Sequence, residues 1–108
     1  EIDNAIESFF ENKQESQVSF FKYGWMNPWW AHTINDGTPS ALFKDVGQKR
    51  SQDLEKLYCP TGAIWISQSK VLKNYKTFYS PNYGYFLMNF DEAIDIDTYE
   101  DLALAKKI

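Results

Sequence analysis

The chain has 108 residues, which leaves room for one small domain with a modest core. Its 15 acidic side chains outnumber 11 basic ones, for a net charge of −4, and no clustered basic face of the kind nucleic acid requires is visible. No apolar run approaches the ~18 residues that span a bilayer and no signal-peptide pattern is present, so neither nucleic acid nor membrane is an expected partner. Arg50 is the only arginine, and so the only planar guanidinium fork. Cys59 is the only cysteine; it cannot form an internal disulfide, which suits a reducing, cytoplasmic compartment. The first residue is Glu1 rather than Met, and the expectation is a piece of a longer protein.

In chain order, Ile2, Ala5, Ile6, Phe9 and Phe10 fall at i, i+3, i+4, i+7 and i+8, the apolar face of a helix. That helix has no convincing cap before Asp3, so its start is expected upstream. Gln17 to Tyr23 is β-prone and aromatic and reads as a strand. Trp30 to Ile34 and Ala41 to Phe43 flank Asn35-Asp36-Gly37, a tight-turn signal that predicts a hairpin. Residues 44–57 are charged and aperiodic and read as a mobile or ligand-organised loop. Gly62 to Ser67 predicts a strand with Ile64 and Ile66 on one face and Trp65 on the other. Ser69 to Tyr75 predicts a short helix, and Tyr83 to Asn89 another strand. A last helix ends at Lys106-Lys107, which suits its dipole. Strands alternating with helices point to an α/β layer carrying a protruding hairpin.

The segment from Ala93 to Leu102 carries the densest chemistry. Read as a strand end running into the last helix, it puts Asp95 and Asp97 on one face, roughly 6.6 Å apart at their Cα atoms. Two carboxylates so spaced can lean onto one hard cation. The competing reading is that the acids of this segment cap a helix and answer its dipole, with Thr98 as N-cap and Asp101 at the capping-box position. Upstream, Trp25, Asn27-Pro28-Trp29-Trp30 and His32 form an aromatic knot, either an interface patch or a small satellite core.

Four ordered blocks carry a resemblance: Lys49-Arg50-Ser51-Gln52-Asp53-Leu54, Leu57 to Ile66, Thr77-Phe78-Tyr79, and Ala93 to Leu102. In order and spacing the chain resembles the CMP-acylneuraminate (sialic acid) synthetases, or acylneuraminate cytidylyltransferases, over their C-terminal half. The fold implied is the C-terminal half of a Rossmann-like nucleotide-diphospho-sugar transferase: a mixed sheet with flanking helices and a protruding dimerisation hairpin, all of residues 1–108 being part of one domain and about 24–48 forming the protrusion. The activity implied is transfer of CMP from CTP to an acidic nonulosonic sugar with release of pyrophosphate. A catalytically silent, aromatic-rich binding module derived from such an enzyme is the alternative.

Residue by residue, the resemblance implies that Asp95 and Asp97 hold Mg²⁺ and are the catalytic acids. It implies that Arg50 serves the sugar carboxylate, with Gln52 adding an amide contact, and that Trp65, Phe78 and Tyr79 wall the sugar pocket. A fork such as Arg50 can bind both carboxylate oxygens, and an indole can pack on a sugar's apolar face and donate one hydrogen bond. Trp65 stands where the family usually has tyrosine, and Cys59 where some members have arginine, so legionaminic or pseudaminic acid comes into view beside sialic acid; a Kdo-type acid is a further alternative substrate. A homodimer is implied. The glycine-rich, basic CTP loop of the family has no counterpart among these residues, so the 108-residue piece alone is expected to be inactive.

Overall fold

Ile2–Glu11 forms the first helix (α1), and the computed structural model describes residues 1–47, 49–50 and 53–108. Of the apolar stripe of α1, Ala5 and Phe9 are buried, while Ile2, Ile6 and Phe10 are exposed. The Glu1 side chain makes no capping bond.

The chain divides into two compact units, Glu1–Phe21 with Cys59–Ile108, and Lys22–Tyr58. The first is a mixed α/β layer. Its strands are β1 (Ser16–Lys22), β4 (Tyr58–Ser67) and β5 (Tyr83–Leu87), in the order β4-β1-β5. β1 and β5 run parallel, with Ser16 opposite Tyr83 and Phe20 opposite Leu87. β1 and β4 run antiparallel, since Gln68 N–H donates to the Glu15 carbonyl while Ser19 meets Thr61 and Ile64. Helices α2 (Ser69–Tyr75) and α3 (Tyr99–Lys107) complete the unit.

β1 lies between two neighbours, and Ser16, Gln17, Val18 and Ser19 are fully buried. Three of those four are polar, and each makes at least one hydrogen bond that offsets its burial, although Gln17 Oε1 is left without a partner. The Ser16 hydroxyl lies 2.7 Å from both the Phe78 carbonyl and the Ser80 hydroxyl. Gln17 Nε2 donates to the Ala5 carbonyl of α1 at 3.0 Å, and Ser19 donates to the Thr61 carbonyl at 2.8 Å. Buried polar pairings thus tie α1, β4 and the 78–80 segment to the central strand.

Three boundaries differ from the sequence expectation. β4 starts at Tyr58 rather than Gly62 and contains Pro60, which an outer strand accommodates because one side needs no ladder donor. β5 stops at Leu87. A single 3₁₀ turn, Phe90–Glu92, follows it, so residues 94–97 are irregular rather than the end of a strand.

In the second unit, β2 (His32–Asn35) pairs antiparallel with β3 (Thr38–Ala41) around Asp36-Gly37. Both turn residues have positive φ, 53° and 77°, as a two-residue hairpin turn of the primed kind demands. The hairpin was expected, but its second arm lies earlier than the predicted Ala41 to Phe43. The region expected as a loop contains a 3₁₀ turn, Lys44–Val46, with Val46 buried. The aromatic knot separates into two parts. Trp29 is tied down, with its Nε1 donating to the Glu55 carbonyl at 2.9 Å and its ring edge-on to Phe43 at 5.1 Å. Trp25 is 83% exposed.

Candidate functional site

Asp95 and Asp97 sit on the irregular approach to α3. The cap of that helix is complete without them. Thr98 Oγ1 accepts from the Asp101 N–H at 3.1 Å, and Asp101 Oδ2 accepts from the N–H groups of Thr98 and Asp97, each at 3.1 Å. These bonds hold the Asp101 carboxyl below its ordinary value of 3.8. The capping role thus falls on Thr98 and Asp101, and the side chains of Asp95 and Asp97 take no part in it.

Those two carboxylates act on each other electrostatically instead. Repulsion from the Asp95 carboxylate is the main cause raising the Asp97 pKa above 3.8; desolvation, a hydrogen bond between the two side chains and the charge of Asp101 add to it. Among the described residues neither acid has a cationic partner. The pair is therefore a concentration of negative oxygen ligands without compensation, the donor set that Mg²⁺ prefers and that repels other anions. Among the described residues no group of three or more His, Cys, Asp or Glu is arranged for a metal. Two carboxylates remain sufficient for Mg²⁺, which commonly completes its shell with waters and substrate phosphates.

Asp95 and Asp101 line a cleft of about 330 Å³, together with Thr61 and Gly62 of β4 and the rings of Phe21 and Phe90. The two rings stack edge-on at 5.4 Å. One wall is thus apolar and another acidic. Cys59 also borders this cleft, half-buried, with its Sγ 3.4 Å from the Pro60 carbonyl.

Trp65 and the adjacent pair Phe78 and Tyr79, 13 positions further on, form one cluster. The Trp65 ring lies 5.4 Å from Phe78 and 5.6 Å from Tyr79, both edge-on, and Tyr79 continues to Tyr83 at 5.1 Å. Tyr83 had not been singled out from sequence. Trp65, Tyr79 and Tyr83 are each partly exposed, so the cluster presents aromatic surface rather than filling a core. The Trp65 indole N–H donates to the Thr61 carbonyl at 2.6 Å, so its one donor is engaged within the protein.

Arg50 belongs to the other unit. Its Nε pairs with Asp53 Oδ2 at 3.3 Å, with side chains 74% and 50% exposed, a surface ion pair of little energetic weight. Gln52, the other expected sugar contact, lies outside the described residues. His32 Nδ1 is bonded to the Trp30 carbonyl at 2.8 Å.

No protein-family model matches the chain. Comparison with curated proteins finds cytidylyltransferases for acidic sugars, in agreement with the resemblance read from the four blocks. The chain is 29% identical, over 97% of its length, to the pseudaminic acid cytidylyltransferase of Campylobacter jejuni, of which it covers 45%. It is also 29% identical, over 93% of its length, to the N-acylneuraminate cytidylyltransferase of Streptococcus agalactiae, of which it covers 24%. The chain spans less than half the length of the curated relatives it matches. Among the described residues no helix is long and apolar enough to cross a membrane.

Proposed function

We propose that this chain carries the sugar-binding and metal-binding portion of a cytidylyltransferase that moves CMP from CTP to an acidic nonulosonic sugar of the sialic or pseudaminic type. The observation that carries the reading is the Asp95–Asp97 pair, whose charges act on each other and whose side chains are left out of the helix cap, in a chain similar to two kinds of acidic-sugar cytidylyltransferase. In the reaction the sugar's anomeric oxygen attacks the α-phosphorus of CTP, pyrophosphate leaves with the electrons of the broken P–O bond, and the hydroxyl proton is lost.

Both substrates are anions, and an acidic cleft repels anions. A bound cation would offset that repulsion, and Asp95 and Asp97 are the residues that would hold Mg²⁺. Bound there, the ion supplies positive charge to phosphate oxygens as negative charge accumulates. The chain's own side chains do the remainder. Trp65, Phe78 and Tyr79 offer edge and face to the apolar side of a sugar ring. Arg50, through the two terminal nitrogens of its fork, serves the sugar carboxylate, and Gln52 adds an amide contact. A homodimer through the region of about residues 24–48 is part of the proposal, supported by exposed Trp25, Met26 and Ile34. CTP is a cytoplasmic nucleotide, and the protein is assigned to that compartment.

The test is pyrophosphate release from CTP by the protein as encoded in full, with a panel of acidic sugars and Mg²⁺. Turnover that Asp95→Asn and Asp97→Asn each abolish, with the protein still folded, is the expected result. A folded protein without turnover on any acidic sugar would make it a silent binding module.

A further inference from the structure

Between the Gln68–Glu15 and Tyr23–Leu57 backbone hydrogen bonds the β1 side advances eight residues (15 to 23) and the antiparallel β4 side eleven (57 to 68), so β4 carries surplus chain. The surplus gathers at Thr61–Ile64, where ladder groups turn to side chains. The Ser19 hydroxyl donates to the Thr61 carbonyl at 2.8 Å and accepts from the Ile64 N–H at 3.1 Å. Thr61 Oγ1 accepts from the Ala63 N–H at 3.1 Å. The Thr61 carbonyl takes a second bond, from the Trp65 indole. This is a bulge whose freed backbone groups are satisfied mainly by one buried hydroxyl, and bulges serve to re-aim neighbouring side chains.

Two walls depend on it. Thr61 and Gly62 border the cleft that Asp95 lines, and Trp65 anchors the aromatic cluster. We propose that Ser19 is a positioning residue: through the Thr61 carbonyl it fixes the orientation of the Trp65 ring, and with it the affinity for the acidic sugar. Ser19 itself touches no substrate; at 0% exposure it acts only through the bulge. The consequence for the sugar rests on the proposed function, whereas the geometric claim stands by itself.

The experiment uses the protein as encoded in full, labelled with 5-fluorotryptophan, the Trp65 resonance being assigned by its loss in Trp65→Phe. Ser19→Ala moves or broadens that resonance, and Ser19→Thr, which keeps the hydroxyl, restores it. In turnover, Ser19→Ala raises the KM for the acidic sugar about tenfold, as expected for one lost buried hydrogen bond that strands its partners, with less than about a twofold change for CTP. Trp65→Phe, which deletes the indole donor at a partly exposed site, raises the same KM, and Ser19→Ala adds little on top of it. If Ser19→Ala does not fold, Trp65→Phe decides: an unchanged sugar KM overturns the proposal. Equal damage to both KM values, or an unmoved Trp65 resonance, overturns it also. A moved resonance in a protein without turnover supports the positioning role and refutes the cytidylyltransferase reading instead.

Discussion

Thr98→Ala separates the capping chemistry from the paired acids. α3 has nine residues, and none of them is buried. A helix this short is marginal without tertiary packing, so it depends on its ends. The substitution removes the Thr98 Oγ1 acceptor of the Asp101 N–H while leaving the bonds made by Asp101 Oδ2. Loss of an N-cap costs about 1 kcal/mol, which is roughly fivefold in the ratio of closed to frayed helix. Amide exchange at Ala103 and Ala105 therefore accelerates about fivefold, read by NMR at constant pH. Asp97→Asn leaves the main-chain N–H of residue 97 in place and removes one of two repelling charges, so exchange in α3 stays the same or slows. If Asp97→Asn frays the helix as much as Thr98→Ala does, the acids are caps, and the metal reading loses its structural support. An unchanged exchange rate in Thr98→Ala would refute the capping geometry itself.

Arg50→Lys should leave thermal stability unchanged, because an exposed i,i+3 ion pair contributes little, yet weaken use of the acidic sugar far more than use of CTP; equal losses in steady-state kinetics would count against a carboxylate contact. Carboxyl NMR titration should place the Asp101 midpoint below 3.8 and that of Asp97 above it, the reverse order being the refuting outcome. By linkage, the contribution of Asp101 to stability is present above 3.8 and lost as pH falls through its lowered folded value, whereas that of Asp97 is present below 3.8 and lost as pH rises through its raised one. Gly37→Ala should destabilise the β2–β3 hairpin by about 1 kcal/mol, since φ of 77° admits a Cβ only with strain although nothing lies nearby to clash; a thermal melt showing no loss would refute the strain argument.

Much of the fold can be read from periodicity and turn chemistry. The α1 stripe, the Asp36-Gly37 turn, the Ser69–Tyr75 helix and the Thr98/Asp101 box are local signals and appear where expected. What escaped the sequence was decided by partners. Asp95-Ile96-Asp97 alternates as a strand would, but an irregular extended segment alternates too, and only a ladder neighbour distinguishes them. β3 was misplaced because Thr38-Pro39-Ser40 has no apolar residue and a proline that weakens any strand assignment. That Ser16, Gln17 and Ser19 are buried was not visible locally, because their hydrogen-bond partners lie up to 64 positions away. The Thr61-Gly62 pair inside a strand was the available hint of the bulge. For the site, the aromatic block and the two acids were legible as residue types; that the side chains of Asp95 and Asp97 stay out of the Thr98–Asp101 cap, and that Thr61 holds the indole, needed coordinates.

The parallel register of β1 and β5 has a consequence for biosynthesis. Each β1 residue from Ser16 to Phe20 faces a residue made 67 positions later. At ~5–20 residues per second, the central strand waits about 3–13 s on the ribosome before its parallel neighbour exists. During that interval β4 is the one of its two described neighbours that can pair with it, and Ser16, Gln17 and Ser19 lower the apolar content of a waiting segment that also carries Val18, Phe20 and Phe21. The same polarity that looks costly in the finished sheet thus guards the nascent chain against premature association.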